Sequence, residues 1–208
     1  MSLSQTLTRA CPRCQTQNTY EHHASIHLDG GAATEAVLQN TFNSCRCAGC
    51  GAQLRFESDV LVVDRARDAY FQVVARDEDV APTLETFRAM SAAGARLRVV
   101  ESRDALVEKV RVWLAGLDDV AYECVKFAMR INQGDLAGTL TLRFDRVEGD
   151  NLLFFARRPD GASGVLPMPM HVYYRMASEL NTAAYAGEPE VDERLARRLF
   201  DARRAPPQ

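Results

Sequence analysis

The chain has 208 residues, 47% of them hydrophobic and 25% charged, with a formal charge of −3. That is enough for one sizeable core or for a small module attached to a larger one, and the composition is that of an ordinary globular protein. No apolar run approaches the ~20 residues of a membrane span, and an acidic balance argues against a protein that neutralises phosphates over a broad surface.

Met1 to Ala10 is polar without an apolar core, so no secretory leader is read there and a reducing, cytoplasmic location is expected. The first motif follows as Cys11-Pro12-Arg13-Cys14, and a second comes at Cys47-Ala48-Gly49-Cys50-Gly51. Each pair has the spacing that lets two thiolates reach one ion from a tight turn, and two such turns complete a tetrahedral zinc shell. Gly51 suits the turn, which needs close backbone approach and often a positive φ. Cys11, Cys14, Cys47 and Cys50 are therefore the expected ligands of one structural zinc ion. A shell of four thiolates has no open position for a catalytic water. Disulfides or a redox pair are the alternatives. A redox pair belongs beside a strand-to-helix turn, which neither motif has.

Between the motifs, Gln15 to Leu28 reads as the outgoing strand of a knuckle. His22, His23 and His27 could replace a thiolate, but with four suitable sulfurs present they are expected at the surface. Gly30-Gly31 breaks the chain, and Thr34 is placed to cap a short helix carrying Val37, Leu38 and Phe42. Cys45 lies too close to Cys47 for both to join one shell comfortably, and is left as a spare or alternative ligand.

After Cys50 the period becomes two: Leu54 and Phe56 alternate with polar residues, and Val60–Val63 and Tyr70–Ala75 flank the charged turn Asp64 to Asp68. Two knuckles followed by a small antiparallel sheet form a zinc-ribbon arrangement. Asp77–Asp79 and Pro82 mark a boundary, which divides the chain into a ribbon at 1–80 and an α+β domain at 81–208. Leu84, Phe87 and Met90 suggest a helix ending at Gly94, and Leu97–Val100 a strand.

The strongest helical signal has Ser102 as N-cap and Leu106, Val110, Trp113, Leu114 and Leu117 on one stripe, ended by Gly116. Asp118 or Asp119 opens a second helix with Val120, Cys124, Phe127, Ala128 and Ile131, and the two should pack as a hairpin or onto a sheet. Cys124 reads as core. Glu101, Glu108, Asp118, Asp119 and Glu123 could hold a cation or act as acid and base, but read as caps and solvated faces. A strand hairpin over 140–156 follows, then the Pro159-Asp160-Gly161 turn and a short strand at Val165-Leu166. One helix opens at Pro169 with Val172, Tyr173, Met176 and Leu180, another at Pro189 with Val191, Leu195 and Leu199, and the basic, Pro-rich tail reads as frayed. His171, Tyr173 and Tyr174 are the candidate ligand-contacting residues of this domain, with packing as their duller role.

Both cysteine motifs, the Val60–Asp64 segment, and the stretch Leu97 to Asp119 with Glu108-Lys109 before Gly-Leu-Asp-Asp resemble the CpXC domain of bacteria and archaea, over roughly residues 10 to 130. The second motif departs from it in having Ala48 where the family usually has proline, which should leave the ligands untouched and loosen the turn. The resemblance implies ligation by the four cysteines, a prokaryotic source and a cytoplasmic location; it carries no established activity.

Three functions follow. The first is a non-catalytic protein-interaction or regulatory module. The second is a nucleic-acid-binding ribbon using Arg9, Arg13, Arg46 and Arg55, which the ten acids against seven arginines in Met1–Pro82 disfavour. The third is an enzyme in the C-terminal domain, for which no hydrolase or phosphate-binding motif is found. No membrane partner is expected.

Overall fold

The computed structural model describes residues 3–74, 81–91, 94–134 and 139–204. The chain divides into two compact units, Met1–Val110 and Arg111–Gln208.

In the first unit, strands β1 (Leu3–Ala10) and β2 (Gln17–His27) form an antiparallel hairpin around the first cysteine pair. Helix α1 (Ala32–Leu38) leads to β3 (Ser44–Arg46) and β4 (Gln53–Arg55), which form a second antiparallel hairpin around the second pair. Then come β5 (Leu61–Asp64), β6 (Ala69–Val73), helix α2 (Ala81–Ser91), β7 (Arg96–Val100) and α3 (Arg103–Leu114), which crosses the division between units. The main sheet has the order β1-β2-β5-β6-β7. β2/β5 and β6/β7 run parallel, and β1/β2 and β5/β6 antiparallel.

Side-chain alternation explains the layers. Ile26, Val62, Phe71 and Arg98 stand in one cross-strand row, whereas Tyr70 and Leu97 pair on the opposite face. On that opposite face Leu61, Tyr70, Leu97 and Val99 pack with Phe87 and Met90 of α2. Arg98 is fully buried and donates to the Leu97 carbonyl at 2.8 Å.

This pairing also moves the division expected after residue 80. β6 and β7 are parallel neighbours, so the chain must cross over between them, and α2 is the crossover. Residues 81–110 therefore complete the first unit's sheet. The Asp77–Asp79 run on which the expected boundary rested lies outside the described residues.

Two local expectations shift in the same unit. Gly31, not Thr34, is the N-cap of α1, and the Thr34 hydroxyl instead accepts from the N–H groups of Asp29 and Gly30 at 3.1 Å each. Phe42 lies beyond the helix and is buried under the Arg103 guanidinium, 3.9 Å from its ring centre. Arg103 also donates to Asn40 Oδ1 and to the carbonyls of Asn40, Phe42 and Asn43, fastening the 40–43 loop to the start of α3. Asp64 accepts from the Arg67 N–H at 3.2 Å and pairs with its guanidinium at 2.9 Å, which closes the β5–β6 turn.

The second unit is built on a three-stranded antiparallel sheet in the order β10-β9-β8, formed by β8 (Thr141–Glu148), β9 (Asn151–Arg157) and β10 (Ser163–Pro169). Helices α4 (Asp119–Asn132), α5 (Met170–Leu180) and α6 (Glu193–Arg204) accompany it. Of the two packings open to α4, the sheet is taken: Tyr122 stacks on Phe154 with ring centres 5.5 Å apart, amid Leu142, Phe144, Leu152 and Tyr173. The other side of α4 presents Val120 and Cys124 to Leu195 and Leu199 of α6. With neighbours on two sides, Asp119 through Val125 are all buried.

Asp118 caps α4, accepting from Val120 and Ala121 at 3.0 Å. Asp119 and Glu123 are buried rather than on a solvated face, and Glu123 pairs with Lys126 at 3.0 Å. The last helix starts at Glu193, not at Pro189, because the Asp192 carboxylate accepts from the Leu195 N–H at 3.1 Å and supplies the cap. The tail beyond Arg204 lies outside the described residues.

Candidate metal centre

The two cysteine pairs fold into near-copies of one turn. In the first, Gln15 N–H donates to the Cys11 carbonyl at 2.9 Å and Cys11 N–H to the Thr16 carbonyl at 2.9 Å. In the second, Gly51 N–H donates to the Cys47 carbonyl at 2.9 Å and Cys47 N–H to the Ala52 carbonyl at 2.8 Å. The residue after the second cysteine is left-handed in both, with φ +61° at Gln15 and +71° at Gly51. The expectation about Gly51 holds, and in the first knuckle a glutamine bears the strain that glycine avoids in the second.

The hairpins bring Cys11, Cys14, Cys47 and Cys50 together, with their sulfurs all within 4.8 Å of one another. Across the knuckles Cys11 Sγ lies 3.8 Å from Cys50 Sγ, and Cys14 Sγ 3.5 Å from Cys47 Sγ. An ion with metal–sulfur bonds of about 2.3 Å in tetrahedral geometry needs sulfurs roughly 3.8 Å apart. The donor set and its spacing therefore fit a four-coordinate ion. Cys11 and Cys47 are buried, and Cys14 and Cys50 reach the surface.

Hydrogen bonds divide the thiols before any ion enters. The Cys50 N–H, helped by that of Gly49, pulls the Cys47 thiol down to about 6 against the opposing effect of burial. Thr16, through its hydroxyl and its N–H, lowers Cys14. At Cys50 the Ala52 N–H pulls downward, yet neighbouring sulfurs, Cys14 first, and burial hold it up at about 11. Four adjacent thiols resist ionising together, and a bound cation removes that conflict by taking all four as thiolates.

Three residues outside the motifs' cysteines hold the knuckles in register. Asn18 is buried; its amide donates to the Thr16 carbonyl at 2.6 Å and lies 3.5 Å from Cys47 Sγ, and its Oδ1 accepts from the Ala48 N–H at 2.8 Å. Proline at 48 would have no N–H to give. The alanine that departs from the family pattern thus adds a tie between knuckles, which corrects the expectation of a looser turn. Gly49 is the second: a Cβ there would stand 2.2 Å from Thr16 Oγ1 and 3.2 Å from Cys14 Sγ. Thr16 is the third, its hydroxyl 3.3 Å from Cys14 Sγ. Gly49 was visible within its motif, but no pattern points to Asn18, whose partners lie up to 30 residues away. Asn43 works in the same way at the hairpins' base. Its side chain accepts from His23 N–H at 2.7 Å and donates to the His23 carbonyl at 3.0 Å.

The remaining candidates fall elsewhere. Cys45 stays out of the four-sulfur cluster and packs with Cys11, Cys47 and Leu54, its thiol raised by burial and by the sulfurs of Cys47 and Cys11. His22, His23 and His27 are partly buried rather than at the surface, and none joins the cluster. Arg9, Arg13, Arg46 and Arg55 are exposed around the knuckles. Cys124 is core.

In the second unit Tyr173 is buried, and its hydroxyl accepts from Asp118 N–H at 2.6 Å; Tyr174 and His171 are exposed. A cavity of about 590 Å³ in this unit is lined by Gln133, Thr139, Leu140, Arg158, Ser163 and Leu166 among others. His171, Tyr173 and Tyr174 do not line it, and its described lining has no carboxylate, imidazole or thiol. No helix among the described residues is long and apolar enough to cross a membrane.

Comparison with curated proteins and with solved structures finds no match. The model of the CpXC family, described as CpXC protein, matches residues 10–126, more than half of the chain, from the residue before the first knuckle into α4. With both knuckles and the fold that joins them inside that span, the chain belongs to the CpXC family.

Proposed function

We propose that Cys11, Cys14, Cys47 and Cys50 bind one zinc ion as a structural centre, and that the protein is a non-catalytic interaction or regulatory module of the cytoplasm whose partner is another protein. The observation that carries this reading is the closed set of four sulfurs within 4.8 Å. Such a shell leaves no position for a reacting water, and soft thiolates in tetrahedral array favour zinc over harder cations. The second hairpin is short, with three residues each in β3 and β4, so the ion supplies folding free energy that its own packing lacks. Metal analysis of untagged protein should give about one zinc per chain. Cys14→Ser should lose it together with the dispersion of the N-terminal amide signals. A metal-free protein that keeps those signals would end the reading.

A second reading has a specific observation behind it. Residues 1–20 and 36–56 contain the four arginines of the knuckle end and no carboxylate, so this end is locally cationic despite the chain's net charge. A nucleic-acid strand could use it. Four thiolates and a divalent cation, however, carry a charge of −2, and these arginines offset that first. Capture of native complexes with and without nuclease separates the two: a stoichiometric protein that survives nuclease supports the first reading, and loss of every partner supports the second.

A further inference from the structure

We propose that β1 is a pairing edge through which two copies of this chain join, antiparallel, into one continuous sheet. Among the described residues, β1 is the terminal strand of its sheet and pairs with β2 alone, over the span Leu3–Ala10. Seven of its eight residues are exposed and the eighth, Leu7, is half-buried. A strand edge in this state offers a row of unpaired N–H and C=O groups, which proteins ordinarily blunt with proline, charge, a bulge or a short length.

The other described edges carry those devices. β10 has Pro167 and Pro169, and β8 has Arg143, Asp145, Arg146 and Glu148 with a bulge between Phe144 and Arg146. β3 and β4 are three residues long. β7 is five residues long and largely buried, with two arginines. β1 carries the fewest: Leu-Ser-Gln-Thr-Leu-Thr-Arg-Ala contains one charge, no proline and no acid, and the shift in its register with β2 falls at its first step, between Leu3 and Ser4, leaving Ser4–Ala10 regular.

The occupant follows from the same composition. A foreign strand is selected by pockets or by charge, and β1 has little of either. A second copy is matched by symmetry alone. A two-fold axis perpendicular to the sheet sets each residue against one that points to the same face, and two central registers satisfy this. In one, Leu7 meets Leu7 of the second copy and Thr6 meets Thr8; in the other, Thr6 meets Thr6 and Ser4 meets Thr8. Neither brings like charges together. An eight-residue edge sits at the low end of interface sizes, so the dimer is weak and concentration-dependent. The proposal goes beyond the functional reading above and stands whichever ion the cysteines hold.

Sedimentation velocity on the full chain at roughly 1 and roughly 100 μM, spanning the affinity expected of so small a contact, is the test. The expected result is a monomer at the low and a dimer at the high concentration, with hydrogen exchange in β1 slowed only at the high one. Thr6→Lys with Thr8→Lys sets ammonium groups opposite each other in either register and should weaken association about tenfold. Metal content and circular dichroism of this variant should match the wild type. A monomer at the high concentration overturns the proposal, as does a dimer whose β1 amides exchange as fast as the monomer's. Because the exchange measurement uses wild-type protein, it decides the matter even if the variant fails to fold.

Discussion

Restoring the family's proline at position 48 should destabilise this protein. Proline there would restrict the unfolded chain and by that route add about 0.4–1 kcal/mol. It would also delete the N–H that Ala48 donates to Asn18 Oδ1 at 2.8 Å. Asn18 is 5% exposed, so its oxygen would be left buried without that donor, at a cost of about 1–3 kcal/mol. The lost hydrogen bond outweighs the restriction of the unfolded chain, and Ala48→Pro should lose about 1 kcal/mol net. Thermal unfolding of metal-loaded protein should show a midpoint lower by about 3–5 °C. Asn18→Ala removes the acceptor, so in that background the proline should become neutral or stabilising. The sign change between backgrounds measures the coupling free of the variant's other effects. A higher midpoint for Ala48→Pro in the wild-type background would refute the argument. Asn18→Ala alone should lower zinc affinity about 10–100-fold in competition with a chromophoric chelator, since Asn18 orients the Cys47 sulfur and the Cys47–Cys50 turn.

Gly49→Ala drives a methyl to within 2.2 Å of Thr16 Oγ1 and 3.0 Å of its Cβ. Thr16 is short and branched and cannot swing aside, so separation of the knuckles should cost about 1–3 kcal/mol, whereas Gly164→Ala, with nothing within 4 Å, is the matched control. An equal loss at both positions would count against the close approach. Gln15→Gly should raise stability by about 1 kcal/mol through relief of a left-handed φ of +61°, unless the added freedom of the unfolded chain cancels it; a measured loss would rule out strain at Gln15. In the second unit, burial pushes the Tyr173 hydroxyl up to about 12 despite the Asp118 N–H it accepts from. A raised value favours the neutral form in the fold, so its contribution is intact below pH 10 and fades between pH 10 and 12, by about 3 kcal/mol at most. Alkaline denaturation should show this slope in wild type and lose it in Tyr173→Phe.

The legible parts of the sequence were those set by local pattern. The spacing of the cysteines pointed to the four-sulfur cluster, apolar β-rich runs marked β5, β6 and β9, and period-two alternation marked β4 and β8. Ser102 and Gly116 bounded α3, and the Asp118 cap opened α4. Pairing between distant strands was not legible. β1 is polar on both faces, so nothing in its own alternation marks it as a strand; it exists because β2 pairs with it around the first knuckle. The division between units was misplaced for a related reason, since the parallel partner that draws β7 to β6 leaves no local signature. Asp119 and Glu123 read as solvated because acids on a helix usually are, and only the two-sided packing of α4 reverses it.

Near-identity of the two knuckles bears on what an ion held by the four sulfurs would do. Each turn is held by the same pair of backbone hydrogen bonds, and the apolar contact between the hairpins is small: Cys11, Cys47 and Leu54 are buried with a few partly buried neighbours, and Tyr20 of β2 stacks on Phe56 with ring centres 3.9 Å apart. The first hairpin is ordered by the main sheet, but so small a contact cannot offset the entropy of ordering the three-residue strands of the second against it, and the polar ties through Asn18, Thr16 and Asn43 hold only once the hairpins are already in place. An ion gripping one buried and one exposed sulfur from each knuckle closes that gap, because it joins residues 11 and 47 across a long loop of the unfolded chain. The second unit has no such need. Its sheet, α4, α5 and α6 enclose two apolar clusters centred on Tyr122 and Leu195, and none of their residues is a proposed metal ligand. Chelation should therefore unfold the knuckles and leave the aromatic core around Tyr122 and Phe154 native, a split that near-ultraviolet circular dichroism and hydrogen exchange read separately. A single cooperative loss of both on metal removal would mean that the stability of the second unit depends on the first.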